Sequence, residues 1–370
     1  MTRPLNILFL MEDLCFGGTQ RQTLELARRL DRKRFSPAML TLTGVTDLDE
    51  AAREAGIRLT HMGASRRVAP LFFLRLAAAL RRAAPDILMP CTALPNIWGR
   101  IWGRALHVPV IVGTCRGGGG PKRQHERWLW RLTRHMVCNS GALFQTLQGL
   151  GVPEAHLSYI PNGVNVDFFR PGAMPPSARE PVILCVARLA RDKDHLTLLR
   201  AFDLILQSRP EARLRIVGDG PEEAALKQWA QGRAAGARVD FFPGGMDMRA
   251  HYAAARMFAL ASVREGQPNV ILEAMSCGLP VCATAAGGIP HLVEEAANGF
   301  LSPVGDAEAL ARNCLRVLDD PQTGDALGRA GRSRVERDFS FTAMVDAHQA
   351  LFERLWRQQA SAGRSGERAA

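Results

Sequence analysis

Short apolar runs alternate with longer stretches of helical period along almost the whole of this chain. Ile7–Leu10 is an unbroken apolar run of strand length, and Gln22–Leu30 after it spaces its apolar residues for one helix face. Ala38–Leu42, Ile87–Met89, Val110–Val112, Met136–Cys138 and Leu157–Ile160 predict further strands. Leu71–Arg82, Trp128–Leu132 and Ala142–Leu150 predict helices between them. A second series follows: Val182–Val186, Arg213–Val217, Val239–Phe242, Phe258–Leu260 and Leu279–Cys282, again with intervening helices, and then a closing helix at Phe341–Arg357. Strands that are apolar throughout, each followed by an amphipathic helix, predict parallel sheets covered on both faces. Between the two series lies a Pro- and Gly-rich segment, Pro171–Pro181, which reads as a linker. The expected layout is an α/β domain over 1–170, a linker over 171–181, a second α/β domain over 182–340, a closing helix over 341–359 and a frayed tail over 360–370. No internal repeat of solenoid length interrupts it.

Composition narrows the class. A chain of 370 residues is long enough for about two domains with real cores. No run approaches the ~18–20 uncharged apolar residues of a membrane-spanning helix. Met1-Thr2-Arg3-Pro4 leads directly into a strand, so no signal peptide is expected. Cys15, Cys91, Cys115, Cys138, Cys185, Cys277, Cys282 and Cys314 are scattered through apolar contexts without a Cys-x-x-Cys pair. They read as buried small hydrophobes in a reducing cytoplasm, with no metal site and no cofactor.

Charge is uneven. Residues 1–170 hold 23 Lys and Arg against 12 Asp and Glu, whereas residues 171–370 hold 24 of each. The first half carries the whole net charge of +11, which points to an anionic partner for that half. Trp98 and Trp102 alternate with Arg100 and Arg104, and Trp128 and Trp130 with Arg123, Arg127, Arg131 and Arg134. Arg66-Arg67 and Arg81-Arg82 add to the charge. Tryptophan interleaved with arginine suits an anionic membrane surface. No nucleic-acid motif accompanies it, so nucleic acid is set aside.

The densest chemistry lies in residues 262–288. A loop holding Glu265 and Gly266 leads to Pro268, placed at the first turn of a helix, where its missing N–H costs nothing. Val270, Ile271, Ala274 and Met275 give that helix a buried face, and Gly278 with Pro280 ends it. Glu265 and Glu273 therefore flank the amides of a helix start near Asn269 and Val270, a combination suited to a sugar nucleotide: carboxylates for hydroxyls, amides for phosphate. Arg188 and Lys193 follow the strand Val182–Val186 on a loop at a carboxyl edge of a sheet, where open α/β folds bind ligands. Gly17-Gly18 follows the first strand and allows close approach of the backbone. Gly-x-Gly-x-x-Gly is absent, which excludes a nicotinamide enzyme.

The segment Glu265-Gly266-Gln267-Pro268-Asn269 with Glu273-Ala274-Met275-Ser276-Cys277-Gly278-Leu279-Pro280 resembles the donor site of the retaining glycosyltransferases of family 4, whose hallmark is Glu, seven residues, Glu. The resemblance covers nearly the full chain and is strongest over 182–305. It implies two facing Rossmann-like domains, the GT-B fold, with the donor in the interdomain cleft and the closing helix crossing back to the first domain. It implies that Glu265 contacts the hexose and Glu273 the ribose. Arg188 and Lys193 would clamp the diphosphate, with Gly17 and Gly18 facing the donor. It also implies a metal-independent transfer from a nucleotide diphosphate sugar, a uridine diphosphate sugar first among them. The acceptor would be a saccharide or a lipid-linked sugar in envelope or exopolysaccharide synthesis.

Four positions depart from the family pattern. Arg116 stands near the place of a usual His, with Gly117–Gly120 behind it, and is assigned to an anionic group of donor or acceptor. Asp194 replaces the usual Gly after the lysine, His291 a usual Glu, and Arg256 a usual Asp. Two rival readings share the architecture: a nucleotide-sugar epimerase, and a non-catalytic subunit that binds sugar nucleotides.

Overall fold

The computed structural model describes residues 3–44, 46–63, 70–116, 120–245 and 247–367. Arg66, Arg67 and Gly117–Gly119, singled out above, lie outside the described residues, as do residues 368–370 of the expected tail. The chain divides into two compact units, one formed by Met1–Asn162 with Phe341–Ala370 and the other by Gly163–Ser340. The division falls ahead of Pro171–Pro181. Val164 and Phe169 are the reason, because both are buried in the core of the second unit, and the Val164 N–H donates to the Phe339 carbonyl at 2.8 Å.

In the first unit the strands are β1 (Leu5–Met11), β2 (Phe35–Thr41), β3 (Arg58–His61), β4 (Ile87–Pro90), β5 (Val110–Cys115), β6 (His135–Cys138) and β7 (Leu157–Tyr159). They form a parallel sheet in the order β3-β2-β1-β4-β5-β6-β7. Strand order reverses between β1 and β4, which opens a crevice beyond their carboxyl ends. Ile7, Phe9, Phe35 and Leu26 pack on one face, together with Phe352 and Leu355 of the last helix. Leu8, Leu10, Leu40, Leu76 and Leu80 pack on the other. The last helix, Phe341–Glu367, is held here by Phe352 edge-on to Phe35 (centroids 6.2 Å apart) and by an Arg34–Glu353 ion pair. It continues through 360–367, where fraying was expected. Gln358-Gln359-Ala360-Ser361-Ala362 offers nothing that interrupts a helix.

In the second unit the strands are β8 (Val182–Val186), β9 (Arg213–Val217), β10 (Val239–Phe242), β11 (Met257–Leu260), β12 (Val281–Thr284) and β13 (Gly299–Ser302). They lie parallel in the order β10-β9-β8-β11-β12-β13, so the reversal falls between β8 and β11. The helix Asn269–Ser276 buries Ile271, Leu272, Ala274 and Met275 against this sheet. Pro268 is its cap, one residue ahead of the expected first turn, and Gly278 closes it at φ +73°. Each unit is thus a parallel-sheet α/β domain.

The tryptophan–arginine stretches are the main correction. Trp98 packs on Phe73 with ring centroids 4.2 Å apart, and Trp102 leans on the same apolar cluster. Trp130 packs beside Cys115, Met136 and Leu147. Arg100 is fully buried and bidentate to Glu126, at 2.7 and 2.8 Å, and it also donates to Asn96 Oδ1. Of the four tryptophans assigned to a membrane surface, Trp128 alone is largely exposed, at 65%. Cys15 is likewise exposed, while the other seven cysteines are buried. Among the described residues no helix is long and apolar enough to cross a membrane.

Candidate functional site

The carboxyl ends of β8 and β11, neighbours at the reversal of strand order, carry the candidate chemistry of the second unit. Beyond β8 the chain turns along the Gly218–Gly220 loop. Leu189 N–H donates to the Asp219 carbonyl at 2.9 Å, and Glu222 N–H to the Leu189 carbonyl at 3.0 Å. That approach needs glycine, since a Cβ at Gly218 would lie 2.0 Å from the Ala187 oxygen and one at Gly220 would lie 2.3 Å from the Leu189 oxygen. Arg188 leaves this loop with its side chain 69% exposed, 3.5 Å from Asp192. Lys193 turns inward and ion-pairs Glu265 Oε1 at 2.5 Å.

Glu265 is fixed from several directions. Ser262 Oγ donates to the same Oε1 at 2.7 Å. Ser262 is itself tied to β12, since Thr284 Oγ1 donates to its carbonyl at 2.6 Å. The Val263 N–H donates to the Asp192 carbonyl at 3.0 Å and so joins the two loops directly. Gly287, at φ +53°, passes so close that a Cβ there would lie 2.0 Å from the Glu265 carbonyl. Lys193 has three donors and gives one to Glu265, so it can meet an anion while keeping its anchor. Arg188, Lys193, Glu265 and Gly266 are thus gathered at one sheet edge.

Asp194 explains its own departure from glycine. It adopts φ +43°, ψ +50°, the left-handed region where Gly is the default and Asp is tolerated. It also caps the helix His195–Ser208, accepting from Thr197 N at 3.3 Å and Thr197 Oγ1 at 2.7 Å. The loop bearing Lys193 keeps its shape and gains a cap.

Glu273 lies inside the helix Asn269–Ser276 and is nearly buried, at 4% exposure. The Tyr252 hydroxyl donates to its Oε2 at 2.9 Å and lies 3.4 Å from the Val270 carbonyl. Asn269 and Val270 form the first turn of the same helix and are half-buried. Sequence reasoning missed Ser262 and Tyr252. Ser262 was findable as a hydroxyl three residues before Glu265, whereas Tyr252, 21 residues from Glu273, carried no local signal.

Gly17, Gly18 and Arg116 belong to the first unit. Gly17, at φ −160°, is the N-cap of the helix Gly18–Arg29, whose first turn holds no acidic residue, so its amides suit an anion. Arg116 follows β5 and donates from Nη1 to Asn162 Oδ1 at 3.0 Å, while Asn139 Nδ2 meets the same oxygen at 3.3 Å. Burial pulls the Arg116 guanidinium below its ordinary range. The nearby Cys91 and Cys138 thiols are pushed up by burial, to about 11 and about 12, so neither is a nucleophile near neutrality.

Comparison with known proteins gives the family and the fold. Residues 173–334 match the family described as "Glycosyl transferases group 1", and residues 16–168 match "Glycosyltransferase Family 4". A GDP-mannose-dependent monoacylated alpha-(1-6)-phosphatidylinositol monomannoside mannosyltransferase of Corynebacterium glutamicum is 34% identical over 289 residues, covering 68% of this chain and 74% of that one. The lipopolysaccharide core biosynthesis glycosyltransferase LpsE of Rhizobium meliloti is 26% identical over 344 residues, 90% of this chain and 94% of that one. Among solved structures, Anabaena Alr3699/HepE in complex with UDP and glucose shares the fold with a TM-score of 0.82 at 21% identity, over 94% of this chain and 99% of that one.

Proposed function

We propose, for a chain that belongs to glycosyltransferase family 4, that it moves a hexose from a nucleoside diphosphate sugar to a saccharide or lipid-linked acceptor with retention of configuration and without a metal ion. Its activity is glycosyl transfer. The observation that carries the finer reading is that Lys193, beyond β8, meets Glu265, beyond β11, at the reversal of strand order in the second sheet, with Arg188 exposed on the same β8 loop.

In this reading the bond between the anomeric carbon and the diphosphate oxygen breaks, and its electron pair goes to the leaving phosphate. Arg188 and Lys193 stabilise that growing charge as fixed cations. Glu265, oriented by Ser262 and Lys193, holds hexose hydroxyls, and Glu273, oriented by Tyr252, holds the ribose. Amides near Asn269, Val270 and Gly266 face the phosphates. The acceptor hydroxyl attacks on the side the phosphate leaves, and its proton passes to that phosphate. No carboxylate acts as a nucleophile. Among the described residues no three His, Cys, Asp or Glu side chains cluster where they could share a metal ion, and two cations already serve the diphosphate.

The donor base is tested directly. The Corynebacterium relative is named for GDP-mannose, and the resemblance first suggested a uridine diphosphate sugar. Purified protein is given UDP-glucose or GDP-mannose with lipid-linked or free saccharide acceptors in the presence of chelator, and the new linkage is read by NMR. An α-linked product from an α-linked donor, formed in chelator, supports the reading. An inverted product, or transfer that stops in chelator and returns with magnesium or manganese, overturns it.

Acceptors of the lipid-linked class would be met at the cytoplasmic face of a membrane. Leu71 and Leu74 (56% and 63% exposed) and Trp128 are the outward apolar side chains of the first unit that suit this contact. Arg75, Arg81, Arg82, Arg123 and Arg127 stand exposed in the same segments.

A further inference from the structure

The end of the first sheet away from Gly17 and Arg116 carries a concentration of cations that neither the motifs nor the transfer chemistry use. Beside the first residues of β5 and β6 lies a cavity of about 340 Å³ lined by Arg104, His107, Arg131, Thr133, Arg134 and Gln359. A second cavity, of about 300 Å³, shares Arg134 and adds His135, His156, Arg354 and Gln358. Neither lining holds an Asp or Glu. No ion pair among the described residues includes Arg104, Arg131, Arg134 or Arg354. Other exposed arginines of this unit do find carboxylates: Arg28 and Arg29 pair with Glu25, Arg34 with Glu353, and Arg53 with Asp49.

The cluster is partly preorganised. Arg131 stacks over the Trp130 ring, 4.9 Å from its centroid, and donates to the Arg127 carbonyl at 3.1 Å. Arg134 is held at the start of β6, where its N–H donates to the Ile111 carbonyl at 2.8 Å and its carbonyl meets His156 Nδ1 at 3.1 Å. The field reaches inward. His135 is depressed to about 4, chiefly by burial and then by Arg354 and His156, and its Nε2 lies 2.8 Å from Ser158 Oγ.

We propose that these two neighbouring cavities form a binding site for a phosphate-bearing anion, with Arg104, Arg131, Arg134 and Arg354 as its guanidinium ligands. Guanidinium forks match phosphate oxygens in pairs, and two cavities sharing Arg134 accommodate a mono- or diphosphate. The six residues of β5 separate this site from Arg116 by roughly 20 Å at the usual rise per residue. It is therefore distinct from the transfer chemistry and does not rest on that reading. Arg354 and Gln359 come from the last helix, so a bound anion would tie that helix to the starts of β5 and β6.

Calorimetric titration of the full chain with inorganic phosphate and with pyrophosphate, against chloride at matched ionic strength, tests the site. It is run in the parent protein and in an Arg188→Ala, Lys193→Ala background, which silences the diphosphate loop of the second unit. Saturable binding that persists in that background, and that weakens about tenfold or more in Arg131→Ser with Arg134→Ser, is expected. Arg28→Ser, exposed and outside both linings, should leave it unchanged. Sedimentation with phosphatidic acid vesicles against phosphatidylcholine vesicles separates the sources. Binding of free anion assigns the site to a soluble phosphate, and binding of the acidic vesicles alone assigns it to a lipid headgroup, provided the Arg131 and Arg134 changes weaken it more than Arg123→Ser with Arg127→Ser does. Three outcomes overturn the proposal: no binding of either probe, binding unaltered in the Arg131 and Arg134 variant, or binding lost in the Arg188 and Lys193 background. Transfer from a sugar nucleotide should survive Arg131→Ser with Arg134→Ser, so failure here and failure of the transferase reading are told apart.

Discussion

Among the described residues each unit holds a cation–glutamate pair that is shielded from solvent, and the two pairs serve different ends. Arg100 and Glu126 are both 0% exposed; the guanidinium gives two bonds to Glu126 and one to Asn96, whose Oδ1 also accepts from Thr114 N–H. Thr114 Oγ1 is spent on the Pro90 carbonyl at 2.7 Å, so the network closes on the protein itself. Lys193 and Glu265 are 19% and 8% exposed, they stand at a sheet edge, and the lysine keeps donors to offer. A pair sealed from solvent can only hold the fold. One with unspent donors beside an exposed Arg188 can take an anion.

The strongest way to break this comparison is to open the closed pair. Glu126→Ala leaves the Arg100 charge buried without its partner and should cost about 3–5 kcal/mol of stability, measured by urea unfolding. Replacing both partners together, Arg100→Met with Glu126→Leu, should recover most of that loss. A single Glu126→Ala as stable as the parent would show that the pair is not structural.

Next in size is the open pair. Arg188→Ala or Lys193→Ala should raise the transfer barrier by roughly 2–4 kcal/mol, since each removes a cation facing the leaving diphosphate. Unfolding midpoints should move far less than in Glu126→Ala. Steady-state turnover close to the parent's in both variants would remove the diphosphate assignment and, with it, the contrast between the pairs.

A finer division runs between the two glutamates of the second unit. Glu273→Ala should weaken binding of the nucleoside diphosphate alone by about 1–3 kcal/mol in calorimetry. Glu265→Gln keeps an acceptor for Ser262 and Lys193, so it should bind the nucleoside diphosphate normally and fail in sugar transfer. Equal calorimetric defects in the two variants would mean that hexose and ribose are not read separately.

The smallest effect belongs to the outer surface of the first unit. Exposed arginines such as Arg123 and Arg127 should each contribute about 1 kcal/mol to binding of phosphatidylglycerol vesicles, and raised salt should release the protein. Trp128→Ala should weaken sedimentation with vesicles, and Trp98→Ala should instead lower thermal stability, because Trp98 packs on Phe73. If Trp128→Ala sediments like the parent at low salt, the exposed ring is not a membrane contact.

The sequence by itself determined what local period can carry. Strands β1, β4, β5, β8 and β11 are apolar along most of their length because sheet and helices bury both their faces, and so they were legible as strands. Edge strands β3 and β13 were not, since Arg58-Leu59-Thr60-His61 is half-exposed and Gly299 opens its strand where a Cβ would lie 2.4 Å from the Val281 carbonyl. Glu265 and Glu273 stood out by spacing, as did Arg188 and Lys193 by their place after a strand. Tertiary structure alone decided that Lys193 meets Glu265 across 72 residues, that Tyr252 steadies Glu273, and that Asp194 occupies a left-handed turn. It also turned Trp98, Trp102, Trp130 and Arg100 inward while leaving Trp128 outside. A side chain's period says which face of its helix it lies on. What that face meets is set by residues remote in the chain, here Phe73 for Trp98 and Glu126 for Arg100, and only packing brings them together.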